Sequence, residues 1–139
     1  MLETDVVPTE ATRPIPAASF GDLRRTIADA GHNHGVFELG QAIDFTVDET
    51  AVIARARREG RRPEAGIRVR RNRDVSVWES LPTAPMLGAV LDEAQFARRV
   101  ARDLRVAAVL GDIDSEKAAI AVGFNDVSML GIRTSTGVA

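Results

Sequence analysis

Apolar positions along the chain recur with two different periods, and the change from one to the other marks out its elements. Phe20, Leu23, Ile27 and Ala30 return every three or four residues after Ser19, which with Asp22 resembles a helix N-cap and its acidic partner. The spacing predicts a helix over 20–30, ended by Gly31. Val36, Leu39 and Ile43 suit a short helix, while Phe37, Leu39, Ile43 and Phe45 suit a strand interrupted by Gly40, so 36–45 reads both ways and the short helix is taken as the expectation. Thr46 and Glu49 have the spacing of a capping box before Val52, Ile53 and Ala56, which predicts a helix over 48–59 stopped by Gly60 and Pro63. Arg55, Arg58 and Arg62 would then share another face of it.

The period then shortens to two. Ile67, Val69, Val75 and Val77 alternate with Arg68, Arg70, Ser76 and Trp78 around a turn at 71–74, the signature of a hairpin over 66–79 with one buried face. After Pro82 and Pro85 the longer period returns: Val90, Leu91, Ala94, Ala97, Val100, Ala101, Leu104 and Ala108 form a helical stripe, with Arg98, Arg99, Arg102, Arg105, Asp92, Glu93 and Asp103 on a solvated opposite side. An acidic turn at 111–116 leads to Ala118, Ile120 and Val122, then Leu130 and Ile132, which predict a second hairpin turning at 123–126. Residues 1–18 hold Pro8, Pro14 and Pro16 and few large apolar side chains, and read as an extended arm that buries little; 134–139 read as a tail.

These elements make an α+β chain: a helical N-terminal part with a β-hairpin wing, then a long amphipathic helix and a second β-hairpin. The compact domain spans 19–133, its first part 19–80 and its second 86–133. A chain of 139 residues with 45% hydrophobic content closes one core of ordinary size. No apolar run is long enough to cross a bilayer and the N-terminus lacks the pattern of a secretory signal, so no membrane partner is expected and the cytoplasm is the simplest host. With no cysteine, disulfides, thiolate chemistry and Cys-based zinc sites are excluded.

Charge sharpens this picture. Between Arg55 and Arg73 stand nine arginines and only two carboxylates, a local net charge of +7, which leaves −9 on the rest of a chain whose total is −2. Such polarity suggests a surface that meets an anion, and arginine presents a planar fork of donors suited to phosphate and carboxylate. The candidate contact residues are Arg55, Arg58, Arg62, Arg68, Arg70, Arg73 and the single tryptophan, Trp78.

The order helix 20–30, helix 36–43, helix 48–59 and hairpin 66–79 resembles winged helix-turn-helix DNA-binding domains. Leu39, Gly40, Asp44, Phe45, Thr46 and Ile53 fall at spacings similar to that family's motif, over residues 19–80 only. The resemblance implies that Arg55, Arg58 and Arg62 meet phosphates or base edges from the second helix of the motif, and Arg68, Arg70 and Arg73 reach phosphates from the wing. His32, His34 and Glu38 share the spacing of one metal motif of cupins, yet no third histidine exists to complete such a site, and a solvent-facing loop pair is the plainer reading. Asp112, Asp114 and Glu116 lack the glycine and glutamate of a calcium loop. No phosphate loop or nucleophile elbow occurs, so neither catalysis nor a cofactor is expected.

Two functional expectations follow. The first is a small non-enzymatic nucleic-acid-binding protein, DNA-binding and open to a regulatory role, dimeric through 87–108. The second is a structural or assembly subunit of a homo-oligomer or larger complex, whose arm and arginine patch meet acidic surfaces of neighbouring protein.

Overall fold

The computed structural model describes residues 1–57, 64–80, 83–84, 88–124, 130–134 and 137–138. Its centre is a six-stranded antiparallel sheet: β1 (Leu2–Pro8), β2 (Ile43–Val47), β3 (Ala51–Ala56), β4 (Ala65–Arg70), β5 (Val75–Glu79) and β8 (Ala118–Phe124), in the order β2-β3-β4-β5-β1-β8. Two helices, α2 (Leu23–Asn33) and α3 (Glu93–Gly111), cover one face, preceded by the single turn α1 (Ala17–Phe20). Beneath them alternate residues of four strands interlock: Val6, Val52, Ala54, Ala56, Ala65, Ile67, Val69, Val75 and Val77 meet Ile27 and Ala30 of α2 and Val106, Ala107 and Leu110 of α3. A smaller four-stranded sheet joins β6 (Thr83–Ala84), β7 (Gly88–Asp92), β9 (Leu130–Thr134) and β10 (Gly137–Val138), with β7 and β9 parallel.

The protein is therefore α+β only in the broad sense, and the helical first half with a wing is not what forms. Residues 51–56, expected inside a helix, are β3, hydrogen-bonded between β2 and β4. The reason is visible at its start. Asp48 accepts at one carboxylate oxygen from the Thr50 N–H, the Thr50 hydroxyl and the Ala51 N–H, which closes a turn between two strands. The same side-chain chemistry caps helices and makes such turns, so the local signal could not choose. Val52, Ala54 and Ala56 then face the core at period two. Residues 36–42, expected within a short helix over 36–43, form a loop that Gly35 precedes and Gly40 bends, both at φ 76°, and Ile43–Val47 is the edge strand β2.

The N-terminal arm is corrected as well. Residues 2–8 are an interior strand between β5 and β8, with Leu2, Thr4 and Val6 buried. Beyond it the chain lies along the β4–β5 turn: the Ile15 N–H donates to the Arg71 carbonyl, the Thr12 hydroxyl donates to the Asn72 carbonyl, and Ile15 enters the core. Proline stops this segment pairing as a regular strand but leaves its apolar residues free to dock.

The hairpin expected over 66–79 forms as β4 and β5. The long helix forms too, but starts at Glu93, where the Asp92 carboxylate accepts from Ala94 and Gln95 N–H groups; the residues before it are β7. The strands predicted after residue 117 exist but do not pair with each other: β8 pairs with β1, and β9 with β7. Much of the turn expected at 123–126 lies outside the described residues.

Candidate functional site: the open sheet face and its free edge

Strand alternation sends the sheet's polar residues to the face opposite the helices. One row across it reads Glu3, Trp78, Gly66, Arg55 and Asp44, and the next reads Asp5, Ser76, Arg68, Ile53 and Thr46. Arg70 follows on β4. The structure thus brings Arg55, Arg68, Arg70 and Trp78 together, though on three strands instead of a helix and a wing. Gly66 makes room for the tryptophan: a Cβ there would stand 2.1 Å from Trp78 Cζ2, so the ring lies over the glycine and is only 9% exposed. The Arg55 guanidinium sits 5.8 Å from the ring centroid, within cation–π range.

The arginines divide by what they touch. Arg68 donates to the Ser76 hydroxyl at 3.0 Å and lies 3.7 Å from Glu3. Arg57 is paired with Asp44. Arg73, in the left-handed region at φ 75°, donates to the Arg13 carbonyl at 2.8 Å and the Gly111 carbonyl at 3.4 Å, tying the N-terminal segment to the end of α3. Arg71 likewise donates to the Ile15 carbonyl. Arg55 and Arg70 remain exposed. Arg58 and Arg62 lie outside the described residues. Pro14, Glu49, Thr50, Arg70, Arg71 and Asn72 line a cleft of about 440 Å³ at the turn end of the sheet.

The other motif residues serve the fold. His32 packs edge-on against Phe37 at 5.9 Å, with its buried Nδ1 unpaired, and His34 ends α2, its N–H donating to the Ala30 carbonyl while the Gly35 N–H donates to the His32 carbonyl. The Glu38 N–H donates to the Gln41 side-chain oxygen, and among the described residues no three His or carboxylate side chains gather as a metal site. Leu39 is 90% exposed in its loop, where a helix-turn-helix would bury it. Asp112 adopts the left-handed cap after α3, and Asp114 accepts the Glu116 N–H of a short 3-10 turn.

Sequence reasoning missed a charged cluster under α3. Asp103, expected on a solvated side, is 2% exposed and accepts from the Thr4 hydroxyl at 2.8 Å. Arg102 bridges it to the buried Glu79 at 2.6 Å, and Arg99 lies 3.4 Å from the same glutamate. Burial pushes the Asp103 carboxyl above the ordinary range, against the pull of Arg102 and Thr4. Burial also opposes the charge on Arg102, but Glu79 and Asp103 outweigh it and raise its pKa. The available signal was that Asp103 shares a helical stripe with Val106, Ala107 and Leu110.

Sequence reasoning also missed what β8 presents. Its seven residues, Ala-Ala-Ile-Ala-Val-Gly-Phe, carry no charge, and the strand lies at one end of the sheet. On the helix side Ile120, Val122 and Phe124 are 44, 36 and 40% exposed. Ala119, Ala121 and Gly123 occupy the other face. The Thr9 N–H donates to the Lys117 carbonyl at 2.9 Å, which sets the phase of the ladder. Residues 117, 119, 121 and 123 therefore aim their backbone groups at β1, while Ala118, Ile120, Val122 and Phe124 aim theirs outward.

No protein family, curated protein sequence or solved structure matches the chain.

Proposed function

We propose that the chain is a non-enzymatic assembly subunit that self-associates through the β8 edge of its sheet. The observation that carries this reading is β8 itself: an uncharged strand, exposed on both faces, with a row of backbone donors and acceptors turned away from the sheet. Proteins that work as monomers blunt such edges with lysine, proline or a covering loop, because an open edge pairs with other chains. Light scattering over a range of concentrations tests the reading. Wild type is expected at twice the monomer mass or more, and Ile120→Lys with Val122→Lys at the monomer mass; a wild type monomeric throughout would overturn it.

A second reading is favoured by the Arg55–Trp78 pair. The open face carries the Arg55 guanidinium at the Trp78 ring and Arg68 and Arg70 farther along β4, a row of cations suited to the phosphates of a single-stranded nucleic acid. Glu3, Asp5 and Asp44 interrupt that face, which weakens the attraction. Oligonucleotide binding followed by anisotropy is expected to drop at least tenfold in Arg55→Ala with Arg70→Ala and to fall with salt. Equal affinity of variant and wild type would remove this reading.

A further inference from the structure

We infer that the partner of β8 is β8 of a second copy, running antiparallel about a two-fold axis through Ala121, so that two six-stranded sheets join as one. This rests on the assembly reading above and says which surface carries it and in what register.

The first argument is hydrogen bonding. All four outward-aimed residues lie at even positions, so an axis at Ala121 sets Ala118 opposite Phe124 and Ile120 opposite Val122, each outward N–H facing an outward carbonyl. Axes at Ile120 or Val122 keep the same phase but leave part of the seven-residue strand unpaired.

The second argument is shape. On the helix side this register packs Ile120 against Val122 twice and gives each Phe124 the space above an alanine, Ala118. On the open face Ala119 meets Gly123, and Ala121 meets its own copy, with no large side chain in the way. Exposed apolar groups on one face and small groups on the other are thereby matched like with like.

The third argument is charge. Asp112, Asp114 and Glu116 lie just before β8. A parallel arrangement would set the two acidic turns side by side, whereas the antiparallel one sends them to opposite ends. The other edge, β2, is a poorer candidate: it is five residues long, carries Asp44 paired with Arg57, and runs into the acidic turn at Asp48. Pairing β2 with β8 head to tail would also propagate without closing, whereas the two-fold pairing closes at a dimer.

The chain has no cysteine, so a single introduced one reports on its own position. Across a non-hydrogen-bonded antiparallel pair the Cα atoms lie about 4.5 Å apart, within disulfide reach, so Ala121→Cys is expected to form a covalent dimer under mild oxidation. Ala119→Cys, with the same face and exposure, would lie roughly 14 Å from its counterpart and is expected to remain uncrosslinked. A dimer by light scattering in which Ala121→Cys fails to crosslink, or crosslinks no better than Ala119→Cys, overturns this register while the assembly reading stands on another surface. A monomer at every concentration overturns both.

Discussion

Asp103 shows at the scale of a single residue how burial reverses the usual pH response of a carboxylate. A carboxyl whose folded pKa is raised binds its proton more tightly in the folded than in the unfolded chain. Its contribution to stability is greatest below the unfolded value of about 3.9 and declines as pH climbs from there through the folded pKa. Asp48 has the opposite sign. Hydrogen bonds from the Thr50 hydroxyl, then from the Thr50 and Ala51 N–H groups, depress its pKa, so its contribution is lost as pH falls. Replacing Asp103 by Asn leaves an oxygen for the Thr4 hydroxyl and removes the titration. The stability of Asp103→Asn relative to wild type, from urea unfolding between pH 3.5 and 7, is expected to rise with pH; a flat or falling difference would count against this account. The stripe it shares with Val106, Ala107 and Leu110 turns Asp103 inward on α3, unlike Glu93 at the start of the same helix, but does not name its partners. Its burial follows from where β1 and β5 place Thr4 and Glu79.

The ladder phase makes a prediction at the scale of the element. Proline removes an N–H. At Val122 that N–H points to the free edge, so Val122→Pro is expected to keep its circular dichroism and lose self-association. At Ala121 the N–H is bonded to β1, so Ala121→Pro is expected to lose several kcal/mol of stability, with the cost of an interior ladder bond and strain combined. Equal effects of the two substitutions would refute the assigned phase. The hairpin over 66–79 was legible because four β-branched residues alternate with polar ones on both sides of a polar turn. The strand 51–56 was not: Ala-Val-Ile-Ala-Arg-Ala is short, its alanines fit either period, and the acidic turn before it imitates a helix start. Alanine favours helix in isolation, but pairing on both sides overrides so weak a preference.

At the scale of the whole molecule, the charge polarity read from composition is real but divided. Arginines grouped along the chain separate in space: Arg57 and Arg68 meet carboxylates, Arg71 and Arg73 hold the N-terminal segment, and Arg55 and Arg70 face solvent. The first eight residues carry more of the fold than their composition suggested. Because β1 joins β8 to the rest of the sheet, deleting residues 2–8 is expected to abolish cooperative thermal unfolding. A deletion that melts within a few degrees of wild type would show that β1 is dispensable. Within the described residues, no helix is long and apolar enough to cross a membrane.

The chain by itself determined what depends on neighbours a few residues apart: a helix through Leu23, Ile27 and Ala30, though Ser19 does not cap it and Gly31 does not end it, the hairpin over 66–79, most of the long helix, and the local surplus of arginine. Tertiary structure decided which strands pair, and so which face each residue shows. Pairing joins residues as distant as Leu2 and Phe124, and moving a strand by one place exchanges its two faces, so neither partner nor face can be read from local periodicity.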